Sequence, residues 1–224
     1  MNRILVVGQT PPPWGGQAVM IQTLLSGRYK HAVLSHVRMA FSKDMSDIGK
    51  FQRGKMLHLV KVIFCIVGKR IREKCNVLYY PPAGPKRIPF YRDVCILGAT
   101  RWMFKKTIFH FHGTGLSELY PRLCWIEKGF FRWAYSHPDV AIRFPLSPED
   151  GRCVGARKEM IVPNGVPDMA VEVPLERQDA AISRVLFVGL LCESKGVLSV
   201  IEAVDRVLKR GLVCHVEYIG RWES

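Results

Sequence analysis

The chain has 224 residues, of which 48% are hydrophobic and 23% are charged, a composition that is typical of a folded globular protein and excludes a disordered one. The 33 Lys and Arg residues outnumber the 19 Asp and Glu residues, and the formal net charge is +14. Seven cysteines without CxxC pairs favour a reducing cytoplasm over a disulfide framework. The most apolar run, residues 57–67, contains a lysine and is too short to cross a bilayer. We therefore expect a cytoplasmic protein, soluble or peripheral on the inner face of the plasma membrane.

Short β-rich runs alternate with helical patterns over the first 166 residues. The predicted strands are 3–8, 32–37, 76–80, 107–112, 139–144 and 160–163. The predicted helices lie near 17–26, 51–74, 88–104, 117–135 and 148–156. Strands separated by helices indicate right-handed crossovers and a parallel sheet covered on both faces. The sequence thus predicts a Rossmann-like α/β domain, in which ligands bind beyond the carboxyl ends of the strands.

The pattern changes after this domain. Residues 167–183 are irregular and are predicted to form a linker. A strand at 184–189, a helix at 196–210 and a strand at 213–220 follow. We interpret residues 1–166 as one domain and residues 184–224 as the first βαβ unit of a second, incomplete Rossmann-like domain.

The first strand leads into the sequence TPPPWGGQ at residues 10–17. Three prolines exclude both a helix and a strand there, and Gly15 and Gly16 permit backbone conformations that other residues avoid. A glycine-rich turn between a strand and a helix directs backbone N–H groups at an anion. The alternative is a proline-rich surface turn without a ligand.

Five motifs in order resemble the retaining glycosyltransferases of family 4, which have the two-domain GT-B fold. They are the Gly15-Gly16 loop, HFHG at 110–113, LS at 146–147, VPNGV at 162–166 and LFVGLLCESKG at 186–196. The resemblance implies an enzyme that moves a sugar, with retention, from a nucleotide-sugar donor to the hydroxyl of a glycan or lipid-linked acceptor. It further implies a role in cell-surface polysaccharide or lipid-linked glycan synthesis, without a metal or another cofactor.

The same resemblance implies the roles of individual residues. His112 corresponds to the histidine that contacts the transferred sugar or the acceptor in the cleft. We expect His110 to lie on the opposite face of the strand and to be structural, and Ser147 to cap a helix. The donor-binding residues are expected to be Gly15, Gly16, Gly113, Asn164, Gly165, Gly189 and Lys195.

Two departures from the family pattern concern the donor site. Leu190 stands where many relatives have an arginine, and no two glutamates are eight residues apart, although the family has such a pair. We therefore expect a truncated enzyme that neither transfers sugar nor binds a nucleotide sugar by itself. The alternative is a catalytically inactive N-terminal remnant that binds only an acceptor or a membrane.

The positive charge is concentrated in the first half of the chain. Residues 1–110 contain 19 Lys and Arg against 4 Asp and Glu, whereas residues 111–224 contain 14 against 15. On the helix at 51–74 a narrow stripe of basic side chains and one histidine is predicted, with apolar residues such as Val60 and Phe64 pointing elsewhere. Such a stripe is either a solvated outer face or a contact with anionic lipid headgroups. We found no nucleic-acid-binding motif. The stripe consists of Lys55, His58, Lys61, Lys69 and Arg72.

Overall fold

The computed structural model describes residues 1–41, 53–113, 115–145, 148–165 and 183–222. The chain divides into two compact units, Met1–Val166 and Pro167–Ser224. Ser147 and most of the predicted linker, residues 167–182, lie outside the described residues.

Unit 1 contains a six-stranded sheet with the order β2-β1-β3-β4-β5-β6. All neighbouring strands are parallel. This arrangement confirms the predicted Rossmann-like α/β class, and each strand begins and ends within about two residues of its prediction. The strands are β1 Asn2–Gly8, β2 Ala32–Arg38, β3 Val77–Tyr80, β4 Lys106–Phe111, β5 Val140–Arg143 and β6 Lys158–Ile161.

Six helices accompany these strands in the described part of unit 1. The single helix predicted at 117–135 is wrong, because Pro121 lies in a 3₁₀ turn at Tyr120–Arg122 and proline does not continue an α-helix. A new helix then begins after Cys124, whose backbone N–H donates to the Glu127 carboxylate at 2.8 Å, a capping arrangement. Within the described ranges, no helix combines the length and apolarity needed to cross a bilayer. The helices are α1 Gly16–Ser26, α2 Arg53–Arg72, α3 Arg87–Thr100, α4 Leu116–Leu119, α5 Trp125–Tyr135 and α6 Pro148–Cys153.

The two faces of the sheet are covered unequally. On one face, strand residues such as Leu5, Leu78 and Phe109 join α2, α3 and α5 in one buried cluster. On the other face, Val6 and Tyr79 pack with Ile21 of α1. The expectation of full cover on both faces is therefore wrong for the described residues: over β4, β5 and β6 this second face is only partly buried. Its side chains there include Ile108, His110, Val140, Ile142 and Met160.

A buried carboxylate fixes the chain after β3. Asp93 of α3 has no exposed surface and accepts hydrogen bonds from the Tyr80 hydroxyl at 2.7 Å and the Ala83 backbone N–H at 2.8 Å. The Arg92 guanidinium donates to the same carboxylate at 2.8 Å. Because a buried charge is tolerated only when it is paired and hydrogen-bonded, this network anchors the loop that leaves β3 at the carboxyl edge of the sheet.

Unit 2 is a single βαβ unit, as the sequence predicts. Strands β7, Ser183–Val188, and β8, Cys214–Ile219, are parallel and are joined through helix α7, Val197–Lys209. Apolar side chains on β7 are exposed, with 69% of Val188 accessible.

Candidate functional site

The strand order of unit 1 creates a topological switch point between β1 and β3. The chain passes from β1 to β2 on one side and continues from β3 to β6 on the other. In doubly wound sheets of this order, ligands bind in the crevice at the carboxyl ends of the strands beside the switch point. The candidate site therefore lies where the chain leaves β1, β3 and β4.

Three polar rings meet on the less covered face of β3 and β4. The Tyr79 hydroxyl pairs with Nδ1 of His110 and lies 3.5 Å from Nε2 of His112. The two imidazole rings are adjacent, with their centroids 3.9 Å apart. The expectation that His110 and His112 lie on opposite faces is therefore wrong, because residues two apart on a strand share a face.

Burial keeps both histidine rings neutral. It lowers the pKa of His110 to about 3, and the neighbouring His112 adds to this effect. The pKa of His112 is also lowered by burial, and Asn164 partly opposes the shift. Burial raises the pKa of Tyr79, so its hydroxyl keeps its proton and is available to donate to the neutral ring of His110.

The structure brings His112 and Asn164 together, two residues that the sequence assigned to the site. The Asn164 side chain lies close enough to favour the protonated form of His112, although Asn164 follows β6, two strands away from β4. Among the described groups, none forms a hydrogen bond with the buried Nδ1 of His112. Among the described atoms, a Cβ at Gly113 or Gly165 would meet none within 4 Å. The described residues therefore leave space beside these two glycines.

A second buried carboxylate, which sequence reasoning missed, fixes the loop after His112. Asp150 of α6 is 1% exposed and accepts hydrogen bonds from the backbone N–H groups of Gly115 at 3.2 Å and Ser117 at 2.7 Å. Gly115 has a φ of +117°, a conformation that favours glycine. The only sequence signal for this role is an acidic residue in the first turn of a short helix. Tyr79 was also missed, although a tyrosine within a fully buried strand requires a partner for its hydroxyl.

The proline-rich loop after β1 is held by hydrogen bonds from Arg38 of the edge strand β2. The Arg38 guanidinium donates to the carbonyl oxygens of Thr10 at 3.2 Å and Pro12 at 2.7 Å. The two glycines that follow have ordinary backbone conformations: Gly15 is extended, with φ −144°, and Gly16 is the first residue of α1 and has no positive φ. The expectation that they provide unusual backbone conformations is therefore wrong, although they do precede α1, as predicted.

The structure corrects the basic stripe predicted on α2. His58 does not belong to it, because its ring packs edge-on against Phe41 with centroids 4.8 Å apart and burial lowers its pKa. Lys69 is half-buried and pairs with Glu73 at 3.7 Å. Lys61 and Arg72 are exposed. Lys55 lies in α2, but its side chain is outside the described atoms.

The apolar residues of α2 also differ from the prediction. Val60 and Phe64 are 48% and 71% exposed and share the outer side of the helix with Lys61. Other apolar side chains, including Val62 and Ile66, are the ones that enter the core. The outer side of α2 is thus a mixture of apolar and basic groups and not a purely cationic stripe.

The remaining predicted residues lie in unit 2. Gly189 follows β7, and its N–H donates to the Ile219 carbonyl at 3.0 Å. Lys195 is exposed and ends a 3₁₀ turn, Glu193–Lys195, directly before α7. Gly196, with φ +82°, is the N-cap residue of that helix. Lys195 is therefore close to a helix N-terminus, as the sequence predicts.

Within the ranges that the structure describes, no cluster of His, Cys, Asp or Glu could hold a metal ion. In comparisons with known proteins, no family model matches the chain and no curated protein is found to be similar to it.

Proposed function

We propose that the chain is a retaining glycosyltransferase of the GT-B type, or a fragment of one, with unit 1 as its acceptor-side domain. The observation that carries the proposal is the half-buried, neutral ring of His112 hydrogen-bonded to the exposed amide of Asn164 beyond the carboxyl ends of the strands. The intact enzyme moves a sugar from a nucleotide-sugar donor to an acceptor hydroxyl, in cell-surface polysaccharide or lipid-linked glycan synthesis.

A neutral imidazole beside a carboxamide is suited to a sugar hydroxyl. The exposed Asn164 amide offers a sugar hydroxyl both a donor and an acceptor, and its hydrogen bond with His112 positions that amide. Burial supports this role because it lowers the pKa of His112 and leaves the ring uncharged at neutral pH. The open space over Gly113 and Gly165 accommodates the sugar ring.

The donor's diphosphate is assigned to helix N-termini. In unit 1, Gly15 and Gly16 begin α1 without a side-chain cap, and the first backbone N–H groups of a helix attract anions. In unit 2, Lys195 lies directly before α7. The resemblance assigns Lys195 and Gly189 to donor binding, and the proposed reaction requires no metal.

The second candidate function is a catalytically inactive remnant that binds an acceptor or a membrane. His112 and Asn164 would serve glycan binding equally well without any transfer.

Titration of the chain, with its histidine rings isotope-labelled, tests the site by NMR. We expect glycans to shift the His112 ring signals saturably, and His112→Ala to weaken binding about ten-fold or more, as for a lost buried hydrogen bond. His31→Ala is the matched control, because His31 is exposed and precedes β2. Incubation with UDP- and GDP-sugars and detection of product by mass spectrometry then separates the candidates. Detection of transfer supports the enzyme, and glycan binding without transfer supports the remnant or fragment. If neither transfer nor glycan binding is detected, both candidates are overturned.

A further inference from the structure

Helix α5 exposes an apolar side to solvent. Trp125, Ile126, Phe130 and Trp133 are 82%, 48%, 46% and 63% exposed, and at 100° per residue they fall on one side of the helix. The opposite side is buried through Phe131, Ala134 and Tyr135. The acidic residue of this helix, Glu127, is also buried. This differs from an ordinary surface helix, whose outward side is mainly polar, although Arg132 of α5 is also exposed.

The apolar surface continues onto α3 and the turn that follows it. The Trp133 ring lies directly over α3, since a Cβ at Gly98 would be 2.1 Å from its Cη2 atom. Tyr91 of α3, 44% exposed, hydrogen-bonds to Glu127 of α5. Trp102 is 76% exposed, and its indole N–H donates to the Ala99 carbonyl at 2.9 Å. We call this surface the aromatic face and define it as Tyr91, Trp102, Trp125, Phe130 and Trp133.

The charges around the aromatic face are almost all positive. Residues 85–135 contain nine Lys and Arg against three Asp and Glu. Two of the three acids, Asp93 and Glu127, are buried and hydrogen-bonded inside the unit, so they offer little charge to a partner. Glu118 is the remaining acid. The exposed cations are Lys86, Arg87, Lys105, Lys106, Arg122 and Arg132.

We propose that the aromatic face of unit 1 inserts into the interfacial region of an anionic lipid bilayer. Tryptophan and tyrosine favour the boundary between headgroups and hydrocarbon, and the surrounding cations complement anionic headgroups. A peripheral protein is held best when apolar insertion and electrostatic attraction act together. A protein partner fits less well, because the exposed cations outnumber the one exposed acid of residues 85–135, Glu118, and so favour a uniformly anionic surface.

This inference differs from the predicted basic stripe on α2, because it assigns insertion to aromatic side chains of α3 and α5. It does not rest on the proposed glycosyltransferase function. Vesicle binding is measured without any sugar or nucleotide, so its failure leaves the glycan titration unaffected.

Co-sedimentation of the full chain with vesicles tests the proposal. We expect binding to vesicles that contain phosphatidylglycerol and not to vesicles of phosphatidylcholine alone, with a blue shift of the tryptophan fluorescence. The double variant Trp125→Ser/Phe130→Ser is expected to reduce the partition coefficient about ten-fold or more, given the apolar area that it removes. Both side chains are largely exposed, and circular dichroism checks that the fold is retained.

Trp14→Ser is the matched control, because Trp14 is 75% exposed in the loop after β1, and its binding should equal that of the unmodified chain. Lys105→Glu/Lys106→Glu should weaken binding to anionic vesicles while leaving the fold intact. Equal sedimentation of the Trp125→Ser/Phe130→Ser variant and the unmodified chain would overturn the proposal. The absence of vesicle binding would also overturn it. If the unmodified chain then self-associates and this variant does not, the face is assigned to a second copy of the chain.

Discussion

Replacement of Asp150 by alanine should destabilise unit 1 through the loop that follows His112. The carboxylate is 1% exposed and accepts two backbone N–H groups, those of Gly115 and Ser117. A hydrogen bond to a charged group contributes about 1.5–3 kcal/mol. Because water can reach the partly buried Ser117 more easily than Gly115, we expect a total loss of about 2–4 kcal/mol of unfolding free energy. Asp150→Asn keeps the shape and one acceptor and should cost about half as much.

Urea denaturation, monitored by fluorescence, measures this effect. The slope of the unfolding free energy against urea concentration is compared between variants to verify that the unfolded state is unchanged. The matched control is Glu149→Ala. Glu149 is the preceding residue, is 63% exposed in its side chain and forms a surface pair with Arg152 at 3.1 Å. Such a pair contributes about 0.5 kcal/mol or less. If Asp150→Ala also lies within about 0.5 kcal/mol of the unmodified chain, the carboxylate does not hold the loop and the reasoning is refuted.

Three further predictions concern the histidines and two glycines. The folded-state pKa of His110 is about 3, against roughly 6.5 in the unfolded chain. Between these values the unfolded state binds more protons, so the free energy of unfolding falls at this site as the pH drops from about 6.5 towards 3. His110→Gln should flatten that part of the pH dependence in urea titrations, and an unchanged pH dependence would contradict the low pKa of His110. Gly220→Ala places a Cβ 1.7 Å from the Gly189 carbonyl oxygen, so circular dichroism and limited proteolysis should show that unit 2 is disrupted. Gly211→Ala is the control: its Cβ meets open space at a φ of +77°, and it should cost only about 1–2 kcal/mol of unfolding free energy. Gly16→Val should leave the unfolding free energy within about 1 kcal/mol, since its side chain meets open space; a large loss of stability would contradict this placement.

The strands of the fold could be predicted from the sequence because each is a compact β-rich run between helical patterns. The helices were less certain where a local feature competes with periodicity. Residues 117–135 read as one helix, but Pro121 and the capping pair of Cys124 and Glu127 divide it. The outer side of α2 was misread because apolar residues such as Phe64 were assumed to be buried, and its exposure of 71% depends on how α2 packs.

The candidate site was predicted in part. His112 and Asn164 were both named from motifs, and the structure places them together. Asp150 and Tyr79 could not be found from the sequence, because each acts through a contact with a residue more than thirty positions away. Motifs identify the groups that meet a ligand more readily than the buried groups that hold them.

The edges of the two sheets differ in their resistance to intermolecular pairing. Strand β6, at one edge of unit 1, is only four residues long and carries Lys158 and Glu159, the latter paired with Arg143 at 3.1 Å. Short, charged edges discourage the addition of a strand from another molecule. Strand β7 of unit 2 has no ion pair of this kind among the described residues; it is itself an edge and exposes Leu186 and Val188. On heating or concentration, association between chains should therefore begin at β7.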